Sequence, residues 1–416
     1  MKIAFLTLGC KLNYAETSTY ERGFKAAGLE VVPWSDEADV YLVNTCSVTA
    51  TSDSKSRNLI RKVHRVNPEA AVIVTGCSAQ LRREEIEAIE GVTRVFGATE
   101  KESVVPETLA LLGLAKTNGG NPGPSGVFGA FSTGERTRSF LKVQDGCNNF
   151  CKYCTVPYAR GESRNIPISE CVCNARKIAQ EGVKEIVLTG VNTGDFGRST
   201  GETFLDLLKA LEEVDGIERY RISSIEPNLL EDRIIDWIAS GTKFQPHFHI
   251  PLQAGTDALL SSMGRHYDTD FFERKIDYVR HRLEGPGKPL VFFGIDVMAG
   301  LPGETDELFR QGCDFIKRIR PAFIHVFPYS RRPGTPAADM PGQVPEPEKK
   351  ARVEGLEKLC STLHGEFIEA NRGIKEKVLF ESTDRGGKME GYTGNYIRIE
   401  RGYDPALCGK IVDVVI

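Results

Sequence analysis

Three cysteines stand in the run Gly146-Cys147-Asn148-Asn149-Phe150-Cys151-Lys152-Tyr153-Cys154, separated first by three residues and then by two. Thiolates at that spacing can hold three corners of a [4Fe–4S] cube, and a cube with three cysteine ligands leaves one iron open to another ligand. Phe150 and Tyr153 lie between the ligands, where aromatic rings would keep water from the sulfurs and help set the potential. The competing reading is a structural zinc knuckle with Cys171 or Cys173 as fourth ligand. Structural zinc sites are usually two separated pairs; here the first spacing is longer and no second pair follows, which favours the cluster.

Cys10, Cys46 and Cys77 form a second set. Each follows a short run rich in Val, Ile and Leu: Lys2 to Leu8, Asp39 to Asn44, and Ala71 to Thr75. Helical stretches separate these runs, which predicts a parallel sheet over residues 1–115. In open α/β sheets the carboxyl ends of the strands line the ligand crevice, so three cysteines there can converge although they are 36 and 31 residues apart. Gly9 and Gly76 precede two of them, giving the backbone room to pass a bulky inorganic group. Three unrelated buried thiols are the plain alternative. Recurrence at one structural position favours a second cluster, again with an open iron.

The elements that must position these sets fall into segments. A chain of 416 residues should hold two or three domains. Residues 116–137 carry six glycines and two prolines and read as a linker. From Arg138 the strand-helix alternation resumes, with candidate strands Phe140 to Val143, Glu185 to Leu188, Tyr220 to Ser223, His247 to Ile250, Phe292 to Val297 and Phe323 to Phe327. Helical patterns lie between them, for example Phe204 to Val214 and Glu304 to Ile319. Six parallel strands with crossover helices form either a doubly wound sheet or a partial barrel. Pro347 to Ala370 reads as a helix stopped by Gly373. Residues 372–416 differ: Val378-Leu379-Phe380, Tyr396-Ile397-Arg398-Ile399 and Ile411 to Ile416 are short strands split by glycine turns, the pattern of a small all-β barrel.

Composition narrows the class. Charged residues are 26% and hydrophobic ones 40%, an ordinary soluble balance. Eleven dispersed cysteines, an odd number, suit metal or catalytic thiols in a reducing cytosol rather than disulfides. No apolar run approaches bilayer-spanning length, and the run before Leu8-Gly9-Cys10 is too short for a signal sequence, so a cytoplasmic protein without a membrane partner is expected. A net charge of −4 argues against a general nucleic-acid coat but allows a local basic patch. Candidates are Lys55-Ser56-Arg57 through Arg61-Lys62-Val63-His64-Arg65, Lys317-Arg318-Ile319-Arg320, and Arg331-Arg332; each also fits a solvated face.

The CxxxCxxC loop resembles that of the radical S-adenosylmethionine (SAM) enzymes, and the whole chain is similar to the methylthiotransferase family. The resemblance rests on Leu8-Gly9-Cys10-Lys11-Leu12-Asn13, Val43-Asn44-Thr45-Cys46, Thr75-Gly76-Cys77, and Gly146 through Cys154 followed by Val156-Pro157-Tyr158-Ala159-Arg160-Gly161. Leu252-Gln253-Ala254-Gly255, Gly300-Leu301-Pro302-Gly303-Glu304-Thr305 and Tyr329-Ser330-Arg331-Arg332-Pro333-Gly334-Thr335 extend it. It implies an α/β architecture: an N-terminal three-cysteine domain (1–115), a radical SAM core forming a partial (βα)6 barrel (138–371), and a TRAM domain, a small OB-like barrel (372–416). Lys11-Leu12-Asn13, Ser47-Val48-Thr49 and Asp145 to Cys151 look like the group that acts on N6-threonylcarbamoyladenosine at tRNA position 37. Relatives acting on isopentenyladenosine-37 or a ribosomal-protein aspartate are alternatives, as is a zinc-stabilised RNA-binding adaptor without catalysis.

By that resemblance the cluster on Cys147, Cys151 and Cys154 reduces SAM and releases a 5′-deoxyadenosyl radical. The cluster on Cys10, Cys46 and Cys77 supplies sulfur, and a second SAM the methyl group. Adenine carbon 2 carries an unactivated C–H bond that no side-chain base can usefully deprotonate, and such chemistry belongs to cofactors. Implied SAM contacts are Asn192, Thr193 and Gly194 in the turn after the second core strand, with Ser223, Glu226, Gln253, Phe327 and Tyr329. Arg265 would pair the methionine carboxylate through its fork. His247 and His249 read as barrel lining. Expected partners are a tRNA anticodon stem-loop and a low-potential donor of flavodoxin or ferredoxin type, with a monomeric enzyme. The tail has eight basic and seven acidic residues, so charge alone gives a weak RNA grip, and Tyr392 or Tyr396 is available to stack on bases.

Overall fold

The structure, a computed structural model, describes residues 1–416 apart from Val48, residues 115–126 and Glu135. Val48 of the Ser47-Val48-Thr49 motif, and residues 116–126 of the expected linker, therefore lie outside the described residues.

Residues 2–95 build a fully parallel five-stranded sheet from β1 (Lys2–Thr7), β2 (Glu30–Val32), β3 (Val40–Thr45), β4 (Ala71–Gly76) and β5 (Val92–Val95), in the order β2-β1-β3-β4-β5. Period-two alternation sends Ala4, Tyr41, Val43, Val72 and Val74 to one face, against Ile60 and Val63 of helix Ala50–Val66. Ile3, Val40, Leu42 and Ile73 go to the other, against Tyr20 and Phe24 of helix Lys11–Ala26. Buried on both faces, β3 reads as a continuous apolar run.

The second half of the expected linker is not a linker. Val127, Ala130 and Phe131 are buried. This segment pairs with the core's first strand, β6 (Arg138–Lys142), through Ser132 N to Phe140 O and Lys142 N to Ala130 O, both 2.9 Å. Arg22 of the N-terminal domain clamps it by donating to Phe131 O at 2.9 Å.

The chain then makes a two-stranded antiparallel pair, β7 (Gln144–Asp145) with β8 (Arg164–Asn165), which closes the base of the loop holding Cys147, Cys151 and Cys154. Five further parallel strands follow: β9 (Glu185–Thr189), β10 (Arg219–Ile222), β11 (His247–His249), β12 (Phe292–Ala299) and β13 (Phe323–Pro328). They form sheets of order β10-β9-β6 and β11-β12-β13, adjoining where Gln245 N donates to Tyr220 O at 2.9 Å and Ile225 N to His249 O at 3.0 Å. All six strands thus lie side by side in chain order, the expected parallel α/β core. Its hydrophobic layer runs from Leu141 and Leu188 through Ile222, Phe248 and Phe293 to Ile324.

Helix Glu346–Ala370 packs on β13 and leads to β14 (Lys375–Phe380), β15 (Lys388–Thr393), β16 (Arg398–Gly402) and β17 (Ile411–Val415). These form an antiparallel sheet of order β16-β15-β14-β17, all-β as expected. The sheet covers the amino ends of the core strands. Arg221 on β10 donates to Gly394 O at 2.7 Å and Thr393 O at 2.8 Å, Arg138 on β6 pairs with Glu381, and Asn395 donates to Leu290 O at 3.0 Å.

Candidate functional site

Gly146 opens the core cysteine loop in a left-handed conformation, φ +74°, and a Cβ there would lie 1.9 Å from Glu162 O. Only glycine tolerates both conditions. Gln144 braces the loop by donating to Gly146 O (2.7 Å) and Ser163 Oγ (3.0 Å). Each sulfur accepts one donor: Cys147 from Asn149 N at 3.5 Å, Cys154 from Val156 N at 3.4 Å, and Cys151 from Arg265 Nη1 at 3.2 Å. Burial pushes the Cys147 thiol up to about 11 and that of Cys154 up to about 12, so metal must displace their protons. Three sulfurs with converging donors and no disulfide suit a three-cysteine iron-sulfur centre. Phe150 does not shield them. It is 54% exposed in a left-handed backbone, its ring edge-on to Tyr158 at 5.9 Å, because the turn between Cys147 and Cys151 points it outward. Tyr153 does approach, its hydroxyl 3.2 Å from Arg265 Nη1.

Cys10, Cys46 and Cys77 lie just beyond the carboxyl ends of β1, β3 and β4, three adjacent strands of one sheet. A Cβ on Gly9 would meet Cys46 Sγ at 3.0 Å, and one on Gly76 would meet Thr45 O at 2.3 Å. Both glycines thus answer close approach of the protein to itself. Asn13 staples the ends by donating to Leu8 O (2.7 Å) and Thr45 O (3.0 Å), and its Oδ1 accepts from Cys10 Sγ at 3.8 Å. Three thiols at the ends of adjacent strands of one sheet suit the same kind of centre.

The turn after β9 is tied to the cysteine loop by Gln144 Oε1, which accepts from Val191 N (2.9 Å) and Asn192 N (3.0 Å). Thr193 N and Oγ1 both donate to Ser224 O, at 3.1 and 2.9 Å. Gly194 packs so closely that a Cβ would meet Leu229 Cβ at 2.6 Å. Asn192 Nδ2, Ser223 Oγ and Tyr329 Oη are buried without a protein partner, as expected of groups that meet a polar ligand. Gln253 has φ +70°, a strained backbone for a non-glycine residue, held by its N–H to Asp296 O at 2.7 Å. Phe327, at the carboxyl end of β13, is 42% exposed. Arg265 is already engaged by the protein: it pairs with Glu226 and donates to Tyr267 Oη at 2.9 and 3.1 Å.

Inside the core, His249 Nε2 and Asp296 Oδ1 are 2.7 Å apart, and His325 joins them, the three sets of polar atoms lying within 4.8 Å of one another. Burial, then the neighbouring His249, lowers the His325 imidazole to about 4. His247 points toward the amino ends, its ring 5.0 Å from Phe292 and 4.9 Å from Tyr396. Tyr396 is therefore built into the tail-core interface, and the half-buried Tyr392 lies under Arg138 at 4.5 Å.

Of the basic stretches, Lys55, Arg61, Lys62 and Arg65 on helix Ala50–Val66 are exposed. Lys317, Arg318 and Arg320 are paired with Asp314, Glu273 and Glu366. Arg332 is buried against Asp53 and Ser47 across the domain interface.

Residues that sequence reasoning passed over lie between the two cysteine sets. Glu16, Lys101, Lys142, Asp145 and Arg160 form one ionic network, none more than 4% exposed. Lys142 inside the apolar run of β6, and Arg160 in the Val-Pro-Tyr-Ala-Arg-Gly motif, were the available signals.

Residues 2–97 match the family described as Uncharacterized protein family UPF0004, and residues 141–316 the Radical SAM superfamily. The chain is 38% identical to the threonylcarbamoyladenosine tRNA methylthiotransferase MtaB of Bacillus subtilis (strain 168), across 100% of this chain and 93% of that protein. It is 37% identical to the MtaB of Aquifex aeolicus (strain VF5), across 100% of both. Among solved structures, the radical SAM methyltransferase TsrM from Kitasatospora setae superposes with a TM-score of 0.58 at 16% identity, covering 81% of this chain and 77% of that one. That last likeness is one of fold.

Proposed function

Because this chain belongs to the radical SAM methylthiotransferase family, we propose that it converts N6-threonylcarbamoyladenosine at tRNA position 37 to its 2-methylthio derivative. The observation that carries this reading is the pair of three-cysteine sets, one at the strand ends of each α/β unit, with a shared interface between them. Membership of the superfamily implies one [4Fe–4S] cluster and SAM. When bound, they supply the one-electron chemistry that activates the adenine C2–H bond.

The protein's part is to hold and orient. Cys147, Cys151 and Cys154 hold the core cluster, and Cys10, Cys46 and Cys77 a second one that delivers sulfur. Asn192, Ser223 and Tyr329 offer SAM their unpartnered polar atoms. Thr193 and Gly194 fix the turn that carries Asn192, and Gln253 and Phe327 would contribute to the same SAM site. Arg265, paired here with Glu226, would offer its fork to the methionine carboxylate, and Glu226 would be a polar contact beside it. The tail is the TRAM domain of such an enzyme, and the reductant a flavodoxin or ferredoxin.

Mass spectrometry of tRNA nucleosides from cells with and without the gene tests the reading. The 2-methylthio nucleoside should vanish on deletion while its unmodified precursor persists. An unchanged profile, or purified enzyme that leaves tRNA unmodified but acts on a ribosomal protein, would overturn it.

A further inference from the structure

The buried network between the two cysteine sets contains Lys101, Lys142 and Arg160 against Glu16 and Asp145. Glu16 and Asp145 each lie within 3.3 Å of all three basic groups, Lys101 Nζ, Lys142 Nζ and an Arg160 terminal nitrogen. Three basic side chains thus face two carboxyls, and the Arg160 guanidinium among them stays cationic even when buried. An uncompensated buried charge costs several kcal/mol, so an excess cation needs an anion nearby.

Arg160 is where that excess leaves the network. Its Nη1 is 2.9 Å from Asp145 Oδ1 and 3.3 Å from Glu16 Oε1, while Nη2 donates at 2.6 Å to Asn13 Oδ1, the atom that also accepts from Cys10 Sγ. The helix ending in Arg160, Val156–Arg160, packs on helix Cys77–Leu81, whose first residue is the third cysteine. A [4Fe–4S] cube in its usual two-plus state, bound by three thiolates, carries a single net negative charge.

We propose that Arg160 is the counter-charge of the cluster held by Cys10, Cys46 and Cys77, and that the network behind it sets that cluster's potential. The inference rests on the second cluster proposed above. Arg160 is a positioning residue: it acts on the cluster through space and through Asn13. Adding one electron to an already anionic cube is opposed electrostatically, and a fixed buried cation offsets that opposition.

The test uses the full-length chain with C147A, C151A and C154A, so that only the N-terminal set can hold iron, reconstituted without oxygen and titrated with dithionite while the reduced cluster is followed by electron paramagnetic resonance. R160Q should lower the reduced-to-oxidised ratio at the parent midpoint about tenfold, which for one electron is about 59 mV. R160K should restore most of it, and E16Q, which leaves a larger positive excess, should shift the midpoint the opposite way. An R160Q midpoint equal to the parent's, with iron content intact, overturns the inference. If R160Q cannot hold iron, E16Q decides: an unmoved or lowered midpoint overturns it. A parent that binds no iron instead defeats the second-cluster reading itself.

Discussion

Arg265 donates to Cys151 Sγ across 3.2 Å while its other terminal nitrogen is ion-paired with Glu226. One guanidinium thus touches both Cys151 and Glu226, the proposed cluster ligand and the proposed SAM contact, and the fork geometry is what allows both. Partners that orient metal ligands typically affect function 10–100-fold. R265K should keep the core cluster's iron but reduce SAM cleavage by about 10–100-fold, measured as 5′-deoxyadenosine formed under dithionite.

Gly146→Ala should be far harsher. Its Cβ would fall 1.9 Å from a backbone oxygen in a left-handed turn, so the loop must rearrange. The expected result is loss of the core cluster alone: about half the iron remains by colorimetric assay, and SAM cleavage disappears.

The two cysteine sets should separate by substitution. C10A with C46A and C77A should abolish methylthiolation yet leave SAM cleavage measurable, whereas C147A with C151A and C154A should abolish both. Methylthio product from the first triple variant would refute the division of labour.

Acid should weaken the fold in two stages. His325 is depressed from its ordinary 6.5 to about 4 by burial and by His249, opposed by Asp296, so it is neutral in the fold. Its contribution is complete above pH 6.5 and is lost as pH falls toward 4, because the unfolded chain then binds the proton more readily. Glu16 and Asp145 follow: their ionised, paired forms stabilise above the ordinary carboxyl values of 4.5 and 3.8, and that contribution is lost below them. Melting temperature measured against pH should begin to fall below 6.5, and H325Q should remove part of the upper stage while leaving the lower one.

Much of this was legible in the sequence because the signals are local. β1, β3 and β4 are dense apolar runs, and the cysteines beyond them mark strand ends wherever the strands begin. β2 and β5, of three and four residues, were missed because so short an edge strand has too few residues to show a period. β15 was missed because its two glycine neighbours and Gly391 mask it as a turn. The buried network escaped for a different reason: a helix charge looks the same whether it meets water or a partner 144 residues away, as Glu16 meets Arg160. Arg332 misled in the same way, since its partner Asp53 lies 279 residues earlier.

The tail supplies backbone acceptors to arginines that are otherwise enclosed beneath the core: Arg221 is 1% exposed and spends two donors on Thr393 and Gly394. During synthesis those guanidiniums are made well before their acceptors, so the core must wait with its underside open until the last strands emerge. A translation product stopped short of the tail keeps Arg221 paired with Glu185 but leaves its remaining donors without the acceptors that seal a finished chain. Such a chain becomes a natural target for proteolytic clearance rather than a partially competent enzyme.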